Sequence, residues 1–431
     1  MTKPVKRMAI LSSGGPAPGI NSVINAATLE AINLGWEVFG VQNGFGGLIG
    51  DDLQRLRVED VSWIHYEGGS ILGMSRTHPA QGGDLQPVID TLTRRKIDFL
   101  VTIGGDGTAS GAAAISEAMG DKLHTVHVPK TIDNDLPLPT GVPSFGYTTA
   151  RSLGVQMVQN LMRDARSCHR WYIVVTMGRQ AGHIALGIGK AAGASVTLIP
   201  EEFPDERASL RRYADILDGA VLKGLAHQRP WGVAVIAEGL TDRLDPDELD
   251  KFSSIKRDSQ GRIRLSNLEL GVLLSDELSK RAKTRGQNMS FNEIKLGYEL
   301  RCARPVPSDM EYTRDLGYAA TRFLAEGGTD AMVLIDRGRR SVLTFDQMRD
   351  ETTGQTRVRL VDTNSESYLV ARRYMQRLTA ADFDDIEELQ RLADASHLSP
   401  EMFRQHYAYL VEDEPDLFAW RSEVRDAIPQ P

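Results

Sequence analysis

Residues 98–108 constrain this chain more than any other stretch. Asp98-Phe99-Leu100-Val101-Thr102-Ile103 is an apolar, β-favouring run that ends abruptly in Gly104-Gly105-Asp106-Gly107-Thr108. The next residues, 109–119 (ASGAAAISEAM), are good helix formers. The pattern predicts a strand, a glycine turn and a helix start, a geometry that holds phosphate. Glycines let the backbone approach the anion and tolerate positive φ, and free N–H groups at the helix start point towards it. A lone carboxylate there suits Mg²⁺, which bridges phosphate oxygens.

A second stretch narrows the reading. Residues 125–128 (TVHV) predict another short strand, running into Pro129-Lys130-Thr131-Ile132-Asp133-Asn134-Asp135. A lysine, a hydroxyl and two carboxylates at i and i+2 then sit at the end of a buried strand, where ligands bind in open α/β sheets. A purely structural turn has little use for so many charges beside an apolar strand.

Bulk properties exclude several classes. A length of 431 residues suggests two or three domains, and 41% hydrophobic content is ample for sizeable cores. The net charge of −8 gives no sign of nucleic-acid binding or of a membrane-surface patch. Anionic substrates must then be held by local positive charge. Cys168 and Cys302 cannot make a disulfide framework, which fits a reducing cytoplasm. No apolar run approaches the ~20 residues of a membrane helix, the amino-terminal apolar run is too short for a signal peptide, and there is no internal repeat or low-complexity segment.

Further along, residues 8–11, 37–42, 171–177, 196–199, 232–237 and 331–336 read as strands. Helices are expected from 21 or 22 (capped by Asn21 or Ser22) to 34, and over 86–95, 148–166, 180–192, 210–225 and 268–282. Another is expected from Ser308 or Asp309 as cap to 324, and two more over 382–395 and 400–411. In 148–166 the expected apolar face is Leu153, Met157, Leu161 and Met162. Residues 44–50 read as a glycine-rich loop, and 241–262 and 284–291 as surface insertions. The βαβα order argues for parallel sheets covered on both faces. The acidic tail, 379–431, carries no motif and reads as a packing or oligomer element.

Taken together, these runs resemble the phosphofructokinase family, which phosphorylates fructose 6-phosphate at O1. The resemblance includes a Gly-Gly turn after the first strand (Gly14-Gly15-Pro16-Ala17-Pro18-Gly19-Ile20-Asn21) and Gly73-Met74-Ser75-Arg76. It continues through Met177-Gly178-Arg179, a strand ending in Glu238, and Gly297-Tyr298-Glu299-Leu300-Arg301, all in family order. The spacing of Glu238 and Tyr298 resembles the longer, pyrophosphate-like branch. The resemblance implies two doubly wound, Rossmann-like α/β domains with the active site in the interdomain cleft, plus a carboxyl-terminal helical tail. Residues 1–143 with 302–350 would hold the donor phosphate, 144–301 the sugar phosphate, and 351–431 would form the extension. It also implies a cytoplasmic homodimer or homotetramer acting in glycolysis.

Site roles follow by the same resemblance. Asp133 matches the general base towards the sugar 1-hydroxyl, and Thr131 a hydrogen-bond donor to the transferring phosphoryl group. Asp106 matches the Mg²⁺-associated aspartate, with Asp135 on the metal or substrate side. Gly15, Gly105, Gly107 and Thr108 belong to the donor cradle with Arg76. Arg179, Met177, Gly178, Glu238, Tyr298 and Arg301 match residues around the sugar and its 6-phosphate. Arg170 matches an arginine that reaches a neighbouring subunit. Three positions depart from the family pattern. Pro16 stands where many members have aspartate, Tyr298 replaces a histidine, and Lys295 is the nearest cation to a missing second cross-subunit arginine.

The donor stays open between two molecules. Gly107 leaves room for the α-phosphate and nucleoside of ATP, whereas pyrophosphate enzymes of this family carry aspartate there. Lys130 matches the pyrophosphate enzymes, and lysine can hold the phosphate of either donor. ATP is the expectation and pyrophosphate the alternative. Two other classes share parts of the pattern. NAD and lipid kinases have a GGDG turn but lack PKTIDND. A non-catalytic sugar-phosphate-binding subunit would be expected to lose Asp106 or Asp133, which this chain keeps.

Overall fold

The structure is a computed structural model that describes residues 5–80, 84–139, 141–203, 209–245, 268–348 and 357–412. The chain divides into two compact units, Met1–Leu153 with Gly297–Arg359 and Gly154–Leu296 with Leu360–Pro431. Among the described residues the strands are, in chain order, β1 (Arg7–Ser12), β2 (Glu37–Val41), β3 (Leu53–Leu56), β4 (Phe99–Gly104), β5 (His124–Thr131) and β6 (Phe145–Gly146). They continue with β7 (Trp171–Thr176), β8 (Val196–Leu198), β9 (Gly232–Ala237), β10 (Phe291–Leu296), β11 (Ala331–Asp336) and β12 (Arg339–Thr344).

The first unit is built on a sheet of order β12-β11-β5-β4-β1-β2-β3, with β6 paired to β5. Its central strands are parallel, with Ala9 opposite Leu100 and Gly104 opposite Pro129. Every residue of β4 is buried, as expected of a strand covered by helices on both faces. The two outermost strands, β3 and β12, are antiparallel to their neighbours. Met8, Ile10, Val101, Ile103 and Val126 pack under the helices Ile20–Asn33 and Pro307–Ala325, while Leu11, Leu100 and Leu92 pack on the opposite side.

The second unit has a four-stranded parallel sheet of order β10-β7-β9-β8. Its core joins Trp171, Ile173 and Ile236 to the helices Leu210–Ala226 and Leu270–Thr284. The tail completes this core. Helices Ala380–Asp384, Ile386–Ser396 and Pro400–Tyr407 contribute Phe383, Leu389, Leu392, Phe403 and Tyr407.

Several local expectations change. Residues 44–50 are not a loop: Phe45–Ile49 is a short helix. The first long helix is capped by Gly19 at φ 105, a left-handed conformation that glycine adopts without strain. Asn21 instead holds residues 67–71, donating to the Glu67 and Gly68 carbonyls and accepting from the Ile71 N–H. Val306, not Ser308 or Asp309, caps Pro307–Ala325. Asp309 is buried and accepts from Thr149 N and Oγ1 at 2.8 and 2.6 Å, and burial raises its pKa. In Tyr147–Cys168 the buried residues include Val158 and Ala165, whereas Leu153, Met157, Leu161 and Met162 are half-buried. A Cβ on Gly154 would sit 2.3 Å from Ile188 Cδ1, so that side packs by close approach rather than by bulk. The 284–291 stretch ends in β10. Of the 241–262 stretch, residues from 246 onward, and all of the tail beyond 412, lie outside the described residues.

Candidate active site

In the first unit the chain leaves β1 towards β2 on one side, while β4 and β5 lie on the other. The order reverses between β1 and β4, and the crevice at the carboxyl ends of such a pair receives ligands. Two glycine turns flank it. Gly14-Gly15 follows β1 and Gly105-Asp106-Gly107-Thr108 follows β4. The Ser13 N–H donates to the Ile103 carbonyl at 2.9 Å and ties the strand ends together. The helix Asp106–Met119 begins at the second turn, with Asp106 in its first turn, so its free N–H groups face the same edge.

Cations converge on the first turn. Lys130, at the end of β5, is buried, and its Nζ donates to the Gly15 carbonyl at 2.5 Å. A Cβ on Gly14 would stand 3.9 Å from that Nζ and 4.0 Å from Thr108 Oγ1. A Cβ on Gly15 would stand 3.4 Å from the Arg301 guanidinium carbon. Arg301 in turn lies over the exposed Tyr298 ring, 4.9 Å from its centroid. The backbone N–H of Gly14 and the Ser13 hydroxyl both donate to the Ser75 carbonyl, at 2.8 and 2.9 Å. That anchors the turn from which Arg76 projects, exposed.

The catalytic-base candidate leaves the neighbouring strand. The Gly104–Pro129 register puts Asp106 and Asp133 beyond adjacent strand ends, on one edge of the sheet. The Asp133 N–H donates to Thr131 Oγ1 at 3.0 Å, so the hydroxyl accepts there and keeps its own proton to donate. Behind them lies His127, buried between Thr102 and the Gly104 carbonyl. Its Nε2 is 3.0 Å from the Gly104 carbonyl and its Nδ1 is 2.9 Å from Thr102 Oγ1. A carbonyl only accepts, so Nε2 carries the proton and Nδ1 accepts from the threonine. Burial pushes the His127 pKa down to about 3, and the Lys130 charge adds to this. The neutral ring thereby pins the residue that opens the Gly105–Thr108 turn.

The mouth of that turn is open at one position and shut at the next. Among the described residues, a Cβ on Gly107 would meet nothing within 4 Å. One helical turn on, a Cβ on Gly111 would stand 2.8 Å from Pro79 Cδ and 3.0 Å from the Phe45 ring. Among the described residues no three carboxylate, histidine or cysteine side chains form a ready-made metal cage. A single carboxylate beside phosphate oxygens is a donor set that fits Mg²⁺, which retains several waters.

Asp135 stays in the first unit, its carbonyl accepting from the Arg359 N–H at 2.7 Å, and the other candidates lie in the second unit. Glu238 follows β9 and accepts from the backbone N–H groups of Gly178 and Arg179, at 3.2 and 3.0 Å. Arg179 takes a left-handed φ of 51, and a Cβ on Gly239 would stand 2.2 Å from its carbonyl oxygen. Met177 is half-buried beside them, its N–H on the Leu296 carbonyl at 3.1 Å. Arg170 is not with this group. It precedes β7 at the opposite end of the strand, 3.6 Å from Asp164. Lys295 is paired with Glu269 at 2.7 Å.

The Phosphofructokinase family model matches residues 7–324. The pyrophosphate–fructose 6-phosphate 1-phosphotransferase of Thermotoga maritima is 47% identical over 416 residues, covering 94% of this chain and 99% of that protein. The ATP-dependent 6-phosphofructokinase of Staphylococcus carnosus is 36% identical over 251 residues, covering 58% of this chain and 74% of that protein. Among solved structures, the pyrophosphate-dependent phosphofructokinase of Nitrosospira multiformis shares the fold with a TM-score of 0.67 at 17% identity, covering 96% of this chain and 93% of that one.

Proposed function

This chain belongs to the phosphofructokinase family, and we propose that it transfers a phosphoryl group from pyrophosphate to O1 of fructose 6-phosphate, releasing orthophosphate. One observation carries the donor assignment. The similarity to the Thermotoga pyrophosphate enzyme runs almost from end to end, whereas the Staphylococcus ATP enzyme matches a little over half of the chain. The expectation of ATP drawn from Gly107 is therefore reversed. Geometry supports the reversal. Gly107 offers open space, but the next turn on nearly the same helix face is filled by Pro79 and Phe45. Pyrophosphate, the shorter donor, asks for less room along this helix than a nucleoside triphosphate.

In this reading Lys130, Arg76, Thr108 and the N–H groups at the start of Asp106–Met119 hold the diphosphate. Asp106 is the residue that would hold Mg²⁺, and the ion would supply positive charge to the phosphate oxygens. Asp133 takes the proton of the 1-hydroxyl. O1 then attacks the distal phosphorus, the bond to the bridging oxygen breaks, and orthophosphate leaves. Thr131 donates to the group in flight. Glu238, Arg179, Gly178 and Met177 orient the sugar, and Arg301 offers its guanidinium to a phosphate at the Gly15 turn. Arg170 serves a neighbouring subunit of a cytoplasmic homo-oligomer working in glycolysis. Initial rates with Mg²⁺, fructose 6-phosphate and each donor in turn test the proposal. Pyrophosphate should give kcat/KM at least roughly tenfold above ATP, a difference of about 1.4 kcal/mol in transition-state stabilisation. A higher value with ATP would overturn it.

A further inference from the structure

We propose that Arg359 is a positioning residue, one that clamps the segment after Asp133 so that its carboxylate meets the sugar hydroxyl. The proposal rests on the phosphoryl-transfer reading above. Arg359 donates from Nε to the Asn134 carbonyl at 3.0 Å, from Nη2 to Asn134 Oδ1 at 2.5 Å and from Nη1 to the Val142 carbonyl at 2.8 Å. A longer contact of 3.5 Å joins Nη1 to the Leu138 carbonyl. Its own backbone N–H donates to the Asp135 carbonyl at 2.7 Å. One residue thus grips both positions that follow Asp133 and the far end of the connection that leads to β6.

The hold has the chemistry of a guanidinium. Three nitrogens in one rigid plane serve separate acceptors at once, which an ammonium on a flexible stem does not reproduce. Asn134 needs such a hold. It stands at φ 59, a left-handed conformation that asparagine reaches at some cost. Its side-chain oxygen also accepts from the Ser144 N–H at 3.0 Å, and Ser144 Oγ donates to the Thr131 carbonyl at 2.9 Å. Arg359, Asn134 and Ser144 together fix both flanks of Asp133. Burial lowers the Arg359 pKa, and the charge of Asp135 opposes that shift. Arg359 lies beyond the stretch matched by the family model, which ends at 324, and its backbone gives it no recognisable motif.

The test compares full-length wild type with Arg359→Ala and Arg359→Lys, using pyrophosphate, Mg²⁺ and fructose 6-phosphate. A misplaced base should lower kcat roughly 100-fold while both KM values stay within about threefold. Guanidinium ion at millimolar concentration should restore at least about a tenth of the lost rate to Arg359→Ala, with no gain in wild type or Asp133→Asn. Arg359→Lys should stay near Arg359→Ala, because charge without the fork does not hold the loop. Unchanged kcat in Arg359→Ala would overturn the proposal, as would a rise in KM alone. So would a fall in kcat that tracks a lowered melting temperature and ignores guanidinium. Should wild type turn over with ATP and not pyrophosphate, the donor assignment fails, and the same kcat comparison run with ATP still decides on Arg359.

Discussion

At His127 the balance of burial against hydrogen bonding leads to a pH dependence. Desolvation lowers its pKa from 6.5 to about 3. The unfolded chain therefore takes up a proton near pH 6.5 that the folded chain refuses until about pH 3. Stability supplied by the neutral ring is complete above that window and is lost as pH falls through it, at a limiting slope of about 1.4 kcal/mol per pH unit. His127→Gln should show a shallower loss across the window in urea titrations, and equal slopes would contradict a buried neutral imidazole. The place of Lys130, Thr131 and Asp133 at the end of a buried strand was legible because polar groups gather abruptly after an apolar run. The contacts of His127 and Arg359 were not, because each binds backbone carbonyls, which every residue carries and no motif marks, along with a side chain.

The helix Asp106–Met119 makes its own contrast between two glycines four residues apart. Gly111→Ala should cost roughly 1–3 kcal/mol, since the new methyl meets Pro79 and Phe45 at 2.8 and 3.0 Å. Gly107→Ala should leave stability unchanged or raise it by up to about 1 kcal/mol, because its methyl enters open space. Denaturant midpoints of the two variants check this, and similar losses at both sites would refute the occupied-turn account of donor choice. Glycines also explain where element reading failed. Gly47 looked like loop flexibility, yet a Cβ there would lie 1.9 Å from the Gln42 carbonyl, so the residue serves close packing within a helix. The strand Phe291–Leu296 escaped notice because Asn292, Glu293 and Lys295 give it a polar look. It lies at the edge of its sheet, where among the described residues it pairs with β7 alone. The strongly apolar strands β1, β4, β7 and β9 were legible because burial on both faces leaves a continuous hydrophobic run.

For the whole molecule, the tail and the donor site carry the remaining expectations. The tail that showed no motif supplies a wall of the second unit's core. Phe403 is fully buried, its ring 4.8 Å from Tyr407, whose hydroxyl donates to Asp218 at 2.7 Å. Phe403→Ala should lower stability by roughly 3–5 kcal/mol in denaturant unfolding, and a loss under about 1 kcal/mol would show the tail to be dispensable. A net charge of −8 opposes the approach of anions to the whole chain, so the mechanism proposed above rests on its local cations and, separately, on Asp133 as the proton acceptor. Turnover of Asp133→Asn with pyrophosphate, Mg²⁺ and fructose 6-phosphate tests that dependence most directly. A fall in kcat of roughly 10²–10⁴-fold, with both KM values nearly unchanged, is the predicted result. Retention of wild-type kcat would contradict the account.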